Sequence, residues 1–140
     1  MGTIAELFES GERRSDKGHF KNLVLLARAD GKVEEVELQL LKRIASRLSL
    51  TEEQVKEIIE HPSQYPTIPP VSKVERYERL AWFVEMIYVD GIVDAEEERL
   101  VLRKGVALGF DEKDIERIYH AILAEVKAGK SLQDIVEKLA

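Results

Sequence analysis

The chain of 140 residues contains no cysteine. This absence excludes disulfides, thiolate zinc sites, iron–sulfur clusters and cysteine nucleophiles, and it is compatible with a reducing cytoplasm. Proline is scarce, and all four prolines lie between His61 and Val71, so helix-breaking residues are confined to one segment. The longest apolar stretch, 80–89, is interrupted by Glu85 and reaches only half of the roughly 20 residues that span a bilayer. We therefore expect no direct membrane insertion.

Basic residues are fewer than acidic ones. The chain has 21 Lys and Arg residues against 27 Asp and Glu residues, which gives a net charge of −6. This is the wrong sign for a dedicated nucleic-acid binder and suits a cationic or neutral partner better. Glu6 stands where a myristoylation signal needs Ser or Thr, and no hydrophobic segment follows Arg13 and Arg14. We expect a cytoplasmic protein that binds no nucleic acid.

The apolar residues recur with helical spacing. From residue 115 they follow the i, i+3, i+4, i+7, i+8, i+11 series of one helical stripe, and a similar stripe covers 38–48. No stretch shows the alternation of a strand, and 44% hydrophobic residues suffice for one core, so we predict a single all-α domain over 1–140. The predicted helices span about 3–12, 16–28, 34–48, 52–60, 72–89, 95–107, 112–127 and 132–139.

Helix-start signals agree with this map. A residue that caps helices well is followed three positions later by a side chain that can reach back to it. The pairs are Thr51 with Gln54, Ser72 with Glu75, Asp94 with Glu97, Asp111 with Asp114, and Ser131 with Asp134.

The two halves are related by a constant offset of 60 residues. Without any gap, this offset aligns a first repeat at about 16–60 with a second at about 72–127, and the Pro-rich linker 62–70 joins them. One copy could not cover its own apolar stripes, so we expect a duplicated three-helix unit packed about a pseudo-twofold axis, followed by a C-terminal helix at 132–139. The aligned pairs include Val24 with Val84, Asp30 with Asp90, Gly31 with Gly91, Glu37 with Glu97, and Leu40 with Leu100.

Each repeat carries the same acidic pattern, Asp-Gly-x-Val-acidic-x-x-Glu. The glycine can take a positive φ to close a turn, the valine is expected to tuck into the core, and the last two acidic residues lie on one face of a helix start. Three carboxylates can thus converge, and oxygen ligands of this kind suit calcium or magnesium. The candidate metal ligands are Asp30, Glu34 and Glu37 in the first copy, and Asp90, Asp94 and Glu97 in the second.

The same acidic residues have a purely structural explanation. Asp-Gly is a favoured turn pair, and carboxylates in the first turn of a helix are stabilised by its dipole by about 0.3–1 kcal/mol each. An EF-hand is disfavoured, because its first and third ligand positions fall on Leu26 and Arg28 in one copy and on Met86 and Tyr88 in the other. Capping and cation binding both stay open as roles for these residues.

The two acidic segments, each followed by a Leu-rich amphipathic helix and by a second helix that opens at 51–53 or 111–114, resemble the tellurite-resistance TerB family. The resemblance covers about residues 15–127. It implies a compact domain of seven or eight helices with internal duplication, which also occurs at the N-terminus of membrane-anchored DnaJ-like co-chaperones. It further implies a role in chemical-stress and tellurite resistance, with a divalent metal on the same six acidic positions. The first copy departs slightly, because Glu34 is a poorer cap than Asp94.

Other candidate sites are weaker. The segment 128–131 resembles the end of a phosphate-binding loop but lacks the first glycine and the preceding strand, so we interpret it as a helix–helix turn. His61 and His120 each lie four residues after a glutamate, whereas the di-iron motif needs a spacing of three. Trp82 belongs to a core stripe. No Ser–His–Asp constellation is evident, so we expect no enzyme and no organic cofactor.

Three functional interpretations are open. The first is a divalent-cation-binding stress protein in which calcium or magnesium stabilises one arrangement of the helices. The second is an acidic interaction module, co-chaperone-like or a scaffold, that docks a protein partner without a metal. The third is a hydrolytic or transfer enzyme with a site between the halves, for which the sequence offers the least support.

Overall fold

The computed structural model describes residues 11–29 and 33–140, which form seven α-helices and no strand. The all-α prediction is confirmed. A 3-10 turn, Pro62–Gln64, follows the third helix. The helices are α1 Gly11–Ala27, α2 Glu35–Arg47, α3 Glu52–Glu60, α4 Lys73–Tyr88, α5 Ala95–Ala107, α6 Ile115–Lys127 and α7 Leu132–Leu139.

Two helix starts differ from the sequence-based map. The helix expected from 16 is continuous from Gly11, and within it Ser15 is buried and its hydroxyl donates to the Ile68 carbonyl (3.3 Å). The helix expected from 112 begins at Ile115, after a turn in which the Asp111 carbonyl accepts from the Ile115 amide (3.0 Å). Most of the predicted helix 3–12 lies outside the described residues.

Side-chain caps fix three of the helix starts as the sequence predicts. Thr51 accepts from the Gln54 amide (3.1 Å), and the Gln54 side chain accepts from the Thr51 amide (2.8 Å), which completes a capping box. Ser72 and Ser131 each accept from the backbone amide three residues further on. These caps satisfy amide groups that a helix cannot satisfy internally, so they determine where α3, α4 and α7 begin.

The core is organised around α4, which packs against α1, α5, α6 and α7. The stretch 80–87 is buried except at Glu85, which is half-buried and whose pKa is raised by that burial against the opposing charge of Arg43. The apolar stripe of α6 faces the core along its whole length, as its spacing predicts. Its buried residues are Ile115, Ile118, Tyr119, Ile122, Leu123 and Val126.

The Pro-rich segment after α3 crosses the middle of α1 in close contact. A Cβ atom on Gly18 would lie 2.2 Å from the carbonyl oxygen of Pro66, so only glycine allows the chain to pass there. Asn22 donates from its side-chain amide to the Thr67 hydroxyl (2.8 Å), which anchors the crossing. The linker is therefore packed onto the domain and helps to hold its halves together.

The helices α1 and α4 run in the same direction. Arg79 of α4 contacts Ser15 and Asp16 of α1, and four residues further along α4 the Phe83 ring lies 5.4 Å from the His19 ring. The carboxyl ends of both helices, and the described residues 33–37 and 90–97 that follow them, therefore lie toward the same end of the domain. None of the helices in the described ranges has the length and apolarity of a membrane-spanning segment.

Two apolar residues of the first repeat are more exposed than their spacing predicts. The sequence pattern places Val33 in the core, but 37% of its surface is exposed. Leu38, one turn into α2, is 38% exposed although it belongs to the predicted stripe. Val93, the counterpart of Val33, packs against the core. The start of α2 thus faces outward on this side, and the two repeats differ there.

Candidate acidic binding surface

The first acidic segment forms a capping box at the start of α2. The Glu34 amide donates to Oε1 of Glu37 (2.8 Å), and the Glu34 side chain accepts from the Glu37 amide. Glu37 is only 4% exposed, whereas Glu34 is exposed. The structure therefore brings these two candidate ligands together as reciprocal caps. Asp30, the third candidate, lies outside the described residues.

The second acidic segment is fixed by two aspartates. Asp90 accepts from the Ile92 amide (3.1 Å) across a turn in which Gly91 has φ +83°, which is costly for residues with a side chain. Asp94 caps α5, as its place in the sequence predicts, by accepting from the Glu96 amide (2.7 Å), since a capping side chain can reach the second helical amide as well as the third. Each of these bonds uses one carboxylate oxygen. Glu97 is 7% exposed.

The described carboxylates of the acidic segments are not arranged as a metal site. Within residues 11–29 and 33–140, no group of three or more His, Asp or Glu side chains is placed to hold a metal ion. This finding covers Asp90, Asp94 and Glu97 as they stand, but not the first trio, because Asp30 is not among the described residues. The observed bonds account for Asp90 and Asp94 as turn and cap residues. Cation binding by the acidic segments stays a prediction.

The described residues of the two acidic segments lie toward the same end of the domain, which we call the acidic end. It combines exposed carboxylates with exposed aliphatic side chains, of which Ile92 is 72% exposed and Val36 is 42% exposed. Among its described residues Glu96 pairs with Arg99, and this pair is exposed to solvent, where such pairs contribute little. The exposed carboxylates are those of Glu34, Glu35, Asp90, Asp94 and Glu96. A surface of this composition suits a basic segment with an apolar side.

A second polar cluster, absent from the sequence-based predictions, lies at the opposite end of α1 and α4. Buried Arg79 donates to the Ser15 carbonyl (2.9 Å) and to Asp16 (3.2 Å), and His19 lies beside them with 4% exposure. Burial raises the pKa of Asp16 and lowers that of Arg79, so the loss of hydration outweighs their attraction. A signal was present, because Asp16 and His19 occupy the same helical stripe as buried Leu23.

The other candidates have the structural roles that the sequence favours. Trp82 is 8% exposed, and the Arg47 guanidinium lies over its ring, with the guanidinium carbon 5.7 Å from the ring centroid. His61 ends α3, and its backbone amide donates to the Glu57 carbonyl. The ring of exposed His120 packs 5.0 Å from that of Tyr119. The 128–131 segment is the turn between α6 and α7.

Comparison of the chain with protein-family models, with curated proteins and with solved structures finds no match.

Proposed function

We propose that this chain is a non-enzymatic binding module that docks a basic protein partner through its acidic end. The observation that carries the proposal is the position of both acidic segments at the end where α1 and α4 finish, with exposed aliphatic residues among the carboxylates. Carboxylates of one sign steer a basic partner during encounter and fix its register. Side chains such as Ile92, with 72% of its surface exposed, supply the apolar contact that holds it.

The proposal includes a duplicated three-helix unit of TerB type. It is supported by α2 (Glu35–Arg47) and α5 (Ala95–Ala107), which begin and end sixty residues apart and each follow an acidic segment. Duplication would give the domain two related acidic corners from one ancestral unit. The resemblance to TerB proteins would place this binding in a stress response, with a co-chaperone or scaffold role.

An affinity measurement with a synthetic amphipathic peptide of leucine, lysine and arginine tests the docking proposal. The variant Glu35→Gln/Glu96→Gln removes two charges of the acidic end that do not serve as helix caps. We expect at least tenfold weaker binding, and a steep loss of wild-type affinity between about 50 and 500 mM salt, because exposed charges are screened.

A matched control separates charge position from total charge. Glu52→Gln/Glu53→Gln removes two charges from the equivalent first turn of α3, which starts at the other end of α2. We expect this variant to bind the peptide within about twofold of the wild type, since net charge alone has a long-range and weak effect. Equal weakening by both double variants, or binding that ignores salt, would show that the acidic end is not the docking surface.

A divalent cation at the second acidic segment is the second candidate function. It is favoured by the recurrence of a buried glutamate, Glu37 or Glu97, at the same place in each repeat, with 4% and 7% of its surface exposed. Calorimetric titration of calcium, magnesium and manganese tests it. We expect Asp90→Asn to abolish the heat of binding, whereas Asp111→Asn, which alters a turn of the same kind (Asp111 to the Lys113 amide, 2.9 Å), leaves it unchanged. Absence of heat at millimolar cation would reject this candidate.

A further inference from the structure

A polar cavity lies between the amino-terminal halves of α1 and α4 and the carboxyl end of α2. Its volume is about 450 Å3, and small-molecule sites usually measure about 300–1,000 Å3. His19, Asp16 and Arg79 line it, together with Trp82, on whose ring the Arg47 guanidinium rests. The cavity is remote from the acidic end, so a ligand bound in it would be independent of the docking proposal.

His19 is the unusual member of the cavity wall. Its side chain is 4% exposed, it packs on Phe83, and neither ring nitrogen has a hydrogen-bond partner among the described residues. A neutral imidazole offers one donor and one acceptor. Leaving such a group buried and unpaired costs about 1–3 kcal/mol, so native proteins rarely keep one without a partner from outside the chain. His19 is also one of the residues that line the cavity, so its ring adjoins the space that a ligand would fill.

Arg79 and Asp16 provide the charged groups beside His19. The guanidinium of Arg79 has five N–H donors, and its bonds to Ser15 and Asp16 use two of them. Asp16 uses one of its two carboxylate oxygens in this pair. Both groups are partly or largely desolvated, which strengthens any further polar contact that they make. The Asp16 carboxylate can therefore accept a hydrogen bond from a ligand, and the Arg79 guanidinium can donate hydrogen bonds to it.

The charges that line the cavity nearly cancel. An anion would meet several carboxylates, and a cation would meet several guanidinium groups, so either would be opposed by part of the wall. A ligand that carries one charge of each sign and no net charge meets complementary groups on both sides. The charged lining residues are Arg13, Arg47 and Arg79 against Glu12, Asp16, Glu75 and Glu78.

We propose that this cavity binds a small zwitterion of the amino-acid class. The ligand carboxylate lies at Arg79 and accepts from its remaining N–H groups, the ligand ammonium lies at Asp16, and a ring nitrogen of His19 makes a hydrogen bond to one of these groups. The apolar part of the ligand packs on Trp82, which lines the cavity from α4.

Thermal unfolding with each of the twenty standard amino acids tests the proposal. At about 10 mM, ten times a Kd of 1 mM, we expect at least one of them to raise the Tm by about 4 °C. Acetate and ethylammonium each carry one of the two charges, and we expect each to raise it by less than half as much. If no amino acid raises the Tm, or if acetate alone raises it as much as the best amino acid, the proposal is wrong.

Two further measurements assign the binding to this cavity. We expect His19→Leu to weaken binding of that amino acid at least tenfold, whereas Lys104→Met, which removes a partly buried cation outside the cavity, leaves it unchanged. In the wild-type chain the ring nitrogen chemical shifts of His19 should move on binding, a readout that does not require a variant to fold. Unchanged His19 shifts, or equal weakening by both variants, would overturn the assignment.

Discussion

The hydroxyl of Tyr119 in α6 donates a hydrogen bond to Oε2 of Glu98 in α5 at 2.8 Å. The bond ties the two outer helices of the second half together, and about two turns further along α5 Gly105 lets the Ile115 side chain approach closely. Sixty residues earlier, the positions of Tyr119 and Glu98 are held by Ile59 and Leu38. Both line an apolar groove of about 700 Å3 between α2 and α3. The two halves therefore close their outer helices by different means.

Tyr119→Phe removes this bond without removing the buried ring. We expect the free energy of unfolding in urea to fall by about 1 kcal/mol, the usual net contribution of such a bond. Tyr77→Phe is the control, because the Tyr77 ring packs edge-on against Phe110 at 5.2 Å and that contact is kept. A loss of the same size in the control would mean that the hydroxyl bond of Tyr119 is not the cause.

Gly18→Ala tests the crossing of the Pro-rich segment over α1. Its new Cβ would lie 2.2 Å from a carbonyl oxygen of Pro66, a backbone atom that cannot move aside alone. We expect the free energy of unfolding to fall by about 1–3 kcal/mol, as for other overpacked sites. Gly11→Ala is the matched control, since nothing lies within 4 Å of its added Cβ. If Gly18→Ala is as stable as Gly11→Ala, the segment does not pack as described.

We expect His19 to make the fold less stable at acidic pH. Burial, and the charge of Arg79, lower the pKa of His19 from 6.5 to about 3. Between these values the unfolded chain binds more protons than the folded one, so stability is complete above pH 6.5 and is lost as the pH falls, by up to about 1.4 kcal/mol per pH unit. The His19→Phe variant should lose less free energy of unfolding than the wild type over this pH range. Parallel curves of unfolding free energy against pH for the two proteins would contradict the prediction.

We expect Lys104 to make the stability of the fold depend on pH in the alkaline range. It donates to Asn22 at 2.8 Å, and burial, with the charges of Lys21 and Arg103, lowers its pKa from 10.5 to about 8. Between these values the unfolded chain holds the extra proton, so the free energy of unfolding should rise as the pH increases. Lys104→Met should remove that rise in urea unfolding from pH 7.5 to 10.5. The prediction is wrong if the variant keeps the wild-type slope.

The helices of this domain could be predicted from sequence because their signals are local. Thr51 and Gln54 form the predicted capping box, and the stripe that begins at Ile115 is buried throughout. The features that could not be predicted depend on contacts between distant residues. The bond from Ser15 in α1 to Ile68 joins residues 53 positions apart, and the exposure of Val33 depends on how α2 is placed.

The candidate sites divide in the same way. Glu34 and Glu37 are close in sequence, so their pairing at the α2 start followed from spacing. The polar cavity could not be predicted because Asp16 and Arg79 are 63 residues apart, and no periodicity brings them together. A polar residue within a buried helical stripe, such as His19, is the one local signal of such a cluster.

The docking of a basic partner at the acidic end is tested most directly by the amide chemical shifts of the whole chain. The leucine, lysine and arginine peptide is titrated into labelled protein at low salt. We predict that the largest shifts cluster at residues 33–39 and 90–98 and that they disappear at high salt. Shifts centred on the groove between α2 and α3, or no shifts with saturating peptide, would contradict the account.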